Sequence, residues 1–212
     1  WGSFGSYSFW PVVHTISKDI PYFYEKGEIG VYSETHRHWG GQHLNFIVFS
    51  RLLWDVNTNV EAYIDEFCTL FYGPAAKPMR EYYRKMELAA KNGLPVYNQQ
   101  MEQMVPVFNK ELLAELRTLI DKANAEVANA DPVYRTRMDF VTKGFRLGEC
   151  YFGAQNLIQE YAETKDPSIR NKAVEMFEES LKIINDPKYK RRLTEYDGSL
   201  ISRRLNPIKK KL

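Results

Sequence analysis

The chain lacks any apolar run approaching the roughly 20 residues that a bilayer-spanning helix requires, so no membrane span is expected. It also lacks a charge excess. The 29 Lys and Arg stand against 27 Asp and Glu, and a formal net charge of +2 argues against a dedicated nucleic-acid or membrane-surface protein. Cysteine is scarce: Cys68 and Cys150 are the only two, on expected helices and without metal-site spacing. Each is expected to be a small buried hydrophobe rather than a ligand or half of a disulfide. No internal repeat, signal peptide or initiator methionine is visible in it. The sequence starts at Trp1 and reads as cut from something longer, so the missing signal excludes little. No pattern calls for a cofactor.

Aromatic residues, by contrast, are plentiful at 14% and crowd the first 39 positions, among them Trp1, Tyr7, Trp10, Tyr24, Tyr32 and Trp39. Such crowding fits the ring-lined wall of a ligand cleft, and equally a well-packed aromatic core.

Residues 1–16 read as a strand end and a loop, broken by Gly2, Gly5 and Pro11. Asp19 is placed to cap a short helix with Pro21 in its first turn, and Gly27 to end it. Residues 29–33 read as a compact strand from their flanks and β-branched content. A helix is expected over 42–54, with Leu44, Ile47, Val48 and Leu52 on one face. Residues 1–54 thus read as strand–helix–strand–helix, the repeating unit of an α/β barrel or sheet. Beyond residue 56 only helices are expected: 60–72, stopped by Gly73-Pro74; 75–92; one capped by Asn109; 132–163; and 167–184. The pattern therefore leads to an α/β remnant over 1–56, from a barrel or a sheet, followed by an all-α bundle over 57–212; the resemblance described below implies that the remnant is the last βα units of a TIM barrel. The tail from Lys188 onward is basic and is expected to be a solvated terminus.

The run Glu28-Ile29-Gly30-Val31-Tyr32-Ser33-Glu34-Thr35-His36-Arg37-His38-Trp39-Gly40-Gly41 carries the most chemistry. An acid at the carboxyl end of a buried strand, under an aromatic-rich loop, is where a barrel enzyme places catalysis, so Glu34 is the candidate catalytic residue. The bland alternative is an ion pair with Arg37. His36 and His38 share one side of an extended backbone, but no third ligand is near, so a hydroxyl contact or a plain loop histidine is favoured over a metal. Trp39 suits stacking on the flat apolar face of a ligand or anchoring the loop. Gly40 and Gly41 permit a sharp turn or a close backbone approach. Gln42 and Asn45 can bond hydroxyls or satisfy the helix start. Tyr7 and Trp10 would form the opposite wall. The candidate substrate-binding set is therefore Tyr7, Trp10, His36, Arg37, His38, Trp39 and Gln42, with no metal site.

Two blocks carry a family resemblance. Gly30-Val31-Tyr32-Ser33-Glu34 resembles the last barrel strand of bacterial glycosidases of glycoside hydrolase family 163, once catalogued as a domain of unknown function. Leu52-Leu53-Trp54-Asp55, Val60-Glu61-Ala62-Tyr63-Ile64-Asp65-Glu66-Phe67 and Phe71-Tyr72-Gly73-Pro74-Ala75-Ala76 resemble the stretch that follows the barrel in that family. The resemblance covers residues 1–90. It implies a barrel followed by a helical domain, a glycan substrate containing N-acetylglucosamine, and a secreted, periplasmic or cell-surface bacterial protein. Trp54, Phe67, Phe71 and Tyr72 are expected to form the seam between the two parts rather than a binding box. A TIM barrel needs about 250 residues, so this chain is expected to hold only its end, with the second catalytic acid elsewhere. The alternatives are a noncatalytic carbohydrate-binding module or a helical protein-interaction module.

Overall fold

Four helix starts share one device, an Asn or Asp whose side-chain oxygen accepts an otherwise unpaired backbone N–H. Asn59 accepts from Ala62 at 3.1 Å and Asn109 from Leu112 at 2.9 Å, while Asp131 and Asp166, each followed by proline, accept from Val133 and Ser168 at 2.8 Å. The computed structural model describes residues 11–33, 39–93, 104–189 and 193. Among them are seven α-helices: α1 Val13–Glu25, α2 Trp39–Trp54, α3 Val60–Tyr72, α4 Ala76–Asn92, α5 Lys110–Val127, α6 Pro132–Thr164 and α7 Pro167–Asn185. A 3-10 turn, Gly73–Ala75, joins α3 to α4. Gly73 takes φ 53°, which favours glycine at the end of α3, and a side chain there would meet the ring of Tyr134. We expect Asn109→Ala to cost about 1 kcal/mol in urea denaturation, the usual value of a lost N-cap.

From α3 onward each helix packs against the next, and α2 lies across α6. Apolar faces at helical spacing meet in one buried cluster that runs from Val13 on α1 to Leu193, with Tyr72, Phe108, Phe145, Phe152 and Phe177 at its centre. An ion-pair chain ties three helices at the surface. Arg117 on α5 bonds Glu149 on α6, Arg146 bonds Glu149 at 2.5 Å, and Arg146 reaches Glu179 on α7 at 2.7 Å.

The structure corrects the fold class expected from the sequence. The described residues are helical with no strand, so no βα unit is present among them. Residues 28–33, which include the expected interior strand, are irregular and exposed, with Ile29 and Tyr32 almost wholly in solvent. The physical reason is that a strand's N–H and C=O groups need a neighbouring strand, and the described residues offer none. The first helix is corrected too. It starts at Val13, so residues 13–16 are helical, and Asp19 and Pro21 lie within α1 rather than opening it. Burial of Val13, Ile16 and Ile20 at helical spacing outweighs the hydrogen bond that Pro21 cannot donate.

The relative direction of α1 and α2 decides which residues share their ends. The N–H of Val12 donates to Asn45 Oδ1 at 3.0 Å, while Ile20 and Tyr24 share a cleft with Leu52 and Trp54. The two helices therefore run the same way, and residues 28–33 belong to the connection that returns between them.

Candidate functional site

At the carboxyl ends of this parallel pair lies a cleft of about 340 Å³. Its floor is apolar: Ile20 and Leu52 are buried under 5% exposure. Its rim is aromatic and acidic. Tyr24, at 66% exposure, comes from the last turn of α1, and Trp54, at 86%, ends α2. Glu28 and Asp55 supply carboxylates and Asn57 an amide. Asp55 Oδ1 accepts from the N–H of Asn57 at 3.1 Å, which fixes the turn after α2. An apolar floor, two rings in water and a few polar groups can hold a ligand with both C–H faces and hydroxyls.

The expected site residues fall in three places. Glu34, His36, Arg37, His38, Tyr7 and Trp10 lie outside the described residues. Trp39 and Gln42 are described and open α2, about 20 Å along the helix from Trp54, so they do not line the aromatic cleft. Trp39 is half exposed and its ring packs on Phe46, centroids 5.2 Å apart. Gly40, expected to allow a sharp turn or close approach, does bring backbone close, to Gly144 on α6. Of the residues expected at the seam between barrel and bundle, Trp54 stands in solvent, whereas Tyr72 is fully buried and Phe67 and Phe71 pack on the core.

The sequence pattern did not single out His43. Its ring is buried between α2, α3 and α4, and its Nδ1–H donates to the carbonyl of Trp39 at 2.7 Å. That leaves Nε2 as an acceptor, with the hydroxyls of Tyr72 at 2.8 Å and Tyr83 at 2.7 Å, themselves 2.5 Å apart. One tyrosine donates to Nε2 and the other to its neighbour's oxygen, which satisfies the group only while the imidazole is neutral. Burial lowers the His43 pKa from 6.5 to about 4, against the opposing pull of the Trp39 carbonyl, and pushes both tyrosines well above their ordinary range. The cluster is a sealed polar core rather than a reaction centre. Cys68 and Cys150 are free and buried, and burial pushes each thiol up to about 12, so neither is a ready nucleophile.

No group of three or more His, Cys, Asp or Glu among the described residues is placed to hold a metal ion, and no described helix is long and apolar enough to cross a membrane. Residues 4–85 match the family model of a domain of unknown function, DUF4838. The matched stretch takes in α1, α2, α3 and the first part of α4, and with them the aromatic cleft. No curated protein and no solved structure matches the chain.

Proposed function

We propose that this chain recognises a glycan at the aromatic cleft, as part of a glycoside hydrolase acting on glycans that contain N-acetylglucosamine. The observation that carries the reading is the pair of water-exposed rings, Tyr24 and Trp54, flanking a cleft that also holds Glu28, Asp55 and Asn57. Pyranose C–H faces suit exposed rings, and carboxylates and amides suit hydroxyls and acetamido N–H groups. The resemblance of residues 30–34 and 52–76 to glycoside hydrolase family 163 supports the hydrolase part. In that reading Glu34 acts in catalysis as acid/base, nucleophile or transition-state stabiliser.

Calorimetric titration with N-acetylglucosamine oligosaccharides tests it. Trp54→Ala is expected to weaken binding roughly tenfold, the order of an aromatic contact worth about 1.5 kcal/mol, with the fold intact because the ring is exposed. Unchanged affinity in Trp54→Ala would remove the cleft from the account. Glu34→Gln separates catalysis from binding: turnover lost with affinity retained marks a catalytic acid, both retained removes Glu34 from the chemistry, and glycan affinity with no turnover in the unsubstituted protein marks a binding module.

A second reading, a protein-interaction surface, has its own observation. Tyr22, Ile29, Val31, Tyr32 and Leu53 are exposed on or beside the same connection, more apolar surface than scattered single residues present. Mutation of Tyr22 and Tyr32 to Ser, neither of which lines the cleft, that leaves glycan affinity unchanged but abolishes a protein contact would favour it.

A further inference from the structure

The aromatic cleft is electrostatically one-sided. Glu28 and Asp55 line it, and no Lys, Arg or His does. The cations nearest to it in sequence are turned to other partners. Lys26 lies over the ring of Tyr22, 5.3 Å from its centroid. Arg51 gives its Nε–H to Thr58 at 3.1 Å and sets its guanidinium over Tyr63, 5.5 Å from the centroid. Arg51 also approaches Asp55, but its Nη2 stands 3.9 Å from Oδ2, beyond a hydrogen bond, so that carboxylate is only partly answered. The carboxylate of Glu28 forms no ion pair among the described residues.

Two further features carry the same sign. The parallel pair α1 and α2 both end at this cleft, and a helix carboxyl end bears partial negative charge. The rings act in the same sense. Tyr24 and Trp54 pack on no other described ring, so their faces are open to a ligand, and an aromatic face is the negative side of the ring quadrupole. A cation entering the cleft meets carboxylates, helix ends and ring faces of favourable sign. An anion meets the same groups with no cation to answer it.

We propose that the sugar seated at this cleft is cationic: a glucosamine unit whose amine is free, carrying an ammonium where N-acetylglucosamine carries an acetamido group. The pyranose lies on the exposed rings and the ammonium faces Glu28 and Asp55. Acetylation removes the charge and the attraction with it, and a uronic acid reverses the sign, so the cleft discriminates by charge within one sugar shape. The inference rests on the glycan reading of the same cleft and names the glycan it selects.

The test titrates the full chain calorimetrically with three tetramers, of glucosamine, of N-acetylglucosamine and of galacturonate. The pH is held at about 6, where the sugar amine keeps its proton and the carboxylates have lost theirs. The glucosamine tetramer is expected to bind at least fivefold tighter than the N-acetylated one, and the galacturonate tetramer not measurably. Raising the salt from about 10 to about 150 mM, which shortens the screening length from about 30 to about 8 Å, is expected to narrow that ratio. Glu28→Gln, a change at an exposed and unbonded carboxylate, is expected to bring it below about twofold. Trp54→Ala is expected to weaken both glucosamine tetramers, acetylated or not. Equal affinity for the two, or a preference for the acetylated one, would overturn the proposal and leave the glycan reading standing. A preference that survives Glu28→Gln, or glucosamine binding untouched by Trp54→Ala, would overturn it as well. Binding of neither tetramer would overturn both readings.

Discussion

Lowering the pH from 6.5 to about 4 is expected to cost this protein about 3 kcal/mol of stability through His43 alone. In the folded chain the buried imidazole stays neutral down to about pH 4, whereas in the unfolded chain it takes up a proton near its model value of 6.5. The unfolded state therefore binds more protons throughout that window. Stability is full above it, falls as the pH drops through it, and has lost the whole contribution below the folded pKa. The structural cause is the hydrogen-bond direction. With Nδ1–H given to Trp39, a second proton on Nε2 would face two tyrosine hydroxyls in a site sealed from water. Urea denaturation at stepped pH should show His43 contributing a slope approaching 1.4 kcal/mol per pH unit, about one proton. His43→Leu is expected to be less stable at neutral pH, since it removes the tyrosines' acceptor, but to lose that part of the slope. An equal slope in both proteins would place the acid sensitivity elsewhere.

Gly144→Ala is the second large effect expected. A Cβ built at Gly144 would lie 2.5 Å from the carbonyl carbon and oxygen of Gly40 and 2.8 Å from its Cα. These are backbone atoms of α2, so relief requires the two helices to separate, beside the buried residues Leu44 and Phe145. Alanine gains about 1 kcal/mol of helix propensity over glycine but incurs overpacking of up to about 3 kcal/mol, so a net loss near 2 kcal/mol is expected. Gly153→Ala is the control on the same helix. Its Cβ would meet only the thioether end of Met176, 2.5 Å to Cε, which can swing aside, so that variant should be neutral or slightly more stable. Paired thermal melts decide it, and equal melting temperatures for the two variants would refute the close helix crossing.

Most helices were legible because their limits are written in local chemistry. Asn59, Asn109, Asp131-Pro132 and Asp166-Pro167 announce starts, Gly73-Pro74 a stop, and the apolar spacing from Leu113 to Val127 fills the interval. The same local rules misread α1. Asp19 and Pro21 look like a helix start, and only the burial of Val13 and Ile16 against neighbouring helices shows that the start lies earlier. Residues 29–33 have strand composition, but composition cannot supply a pairing partner. The aromatic cleft was not legible. Trp54 was expected at a seam rather than in a binding site, and its meeting with Tyr24, Glu28 and Asp55 depends on α1 and α2 running in parallel, which no local pattern states. His43 left one faint signal, a lone polar ring one turn before Ile47 on an apolar helix face. Its partners, Tyr72 and Tyr83, stand 29 and 40 residues away.

The glycan reading stands on the rings of the aromatic cleft, and the indole N–H of Trp54 reports on it without substitution. In a ¹H–¹⁵N spectrum titrated with an N-acetylglucosamine oligosaccharide, that resonance is expected to move saturably while the Trp39 indole, at the other end of α2, stays in place. A Trp54 signal that holds still up to oligosaccharide concentrations of about 10 mM, above the millimolar range where binding is worth only about 4 kcal/mol, would contradict glycan recognition at this cleft.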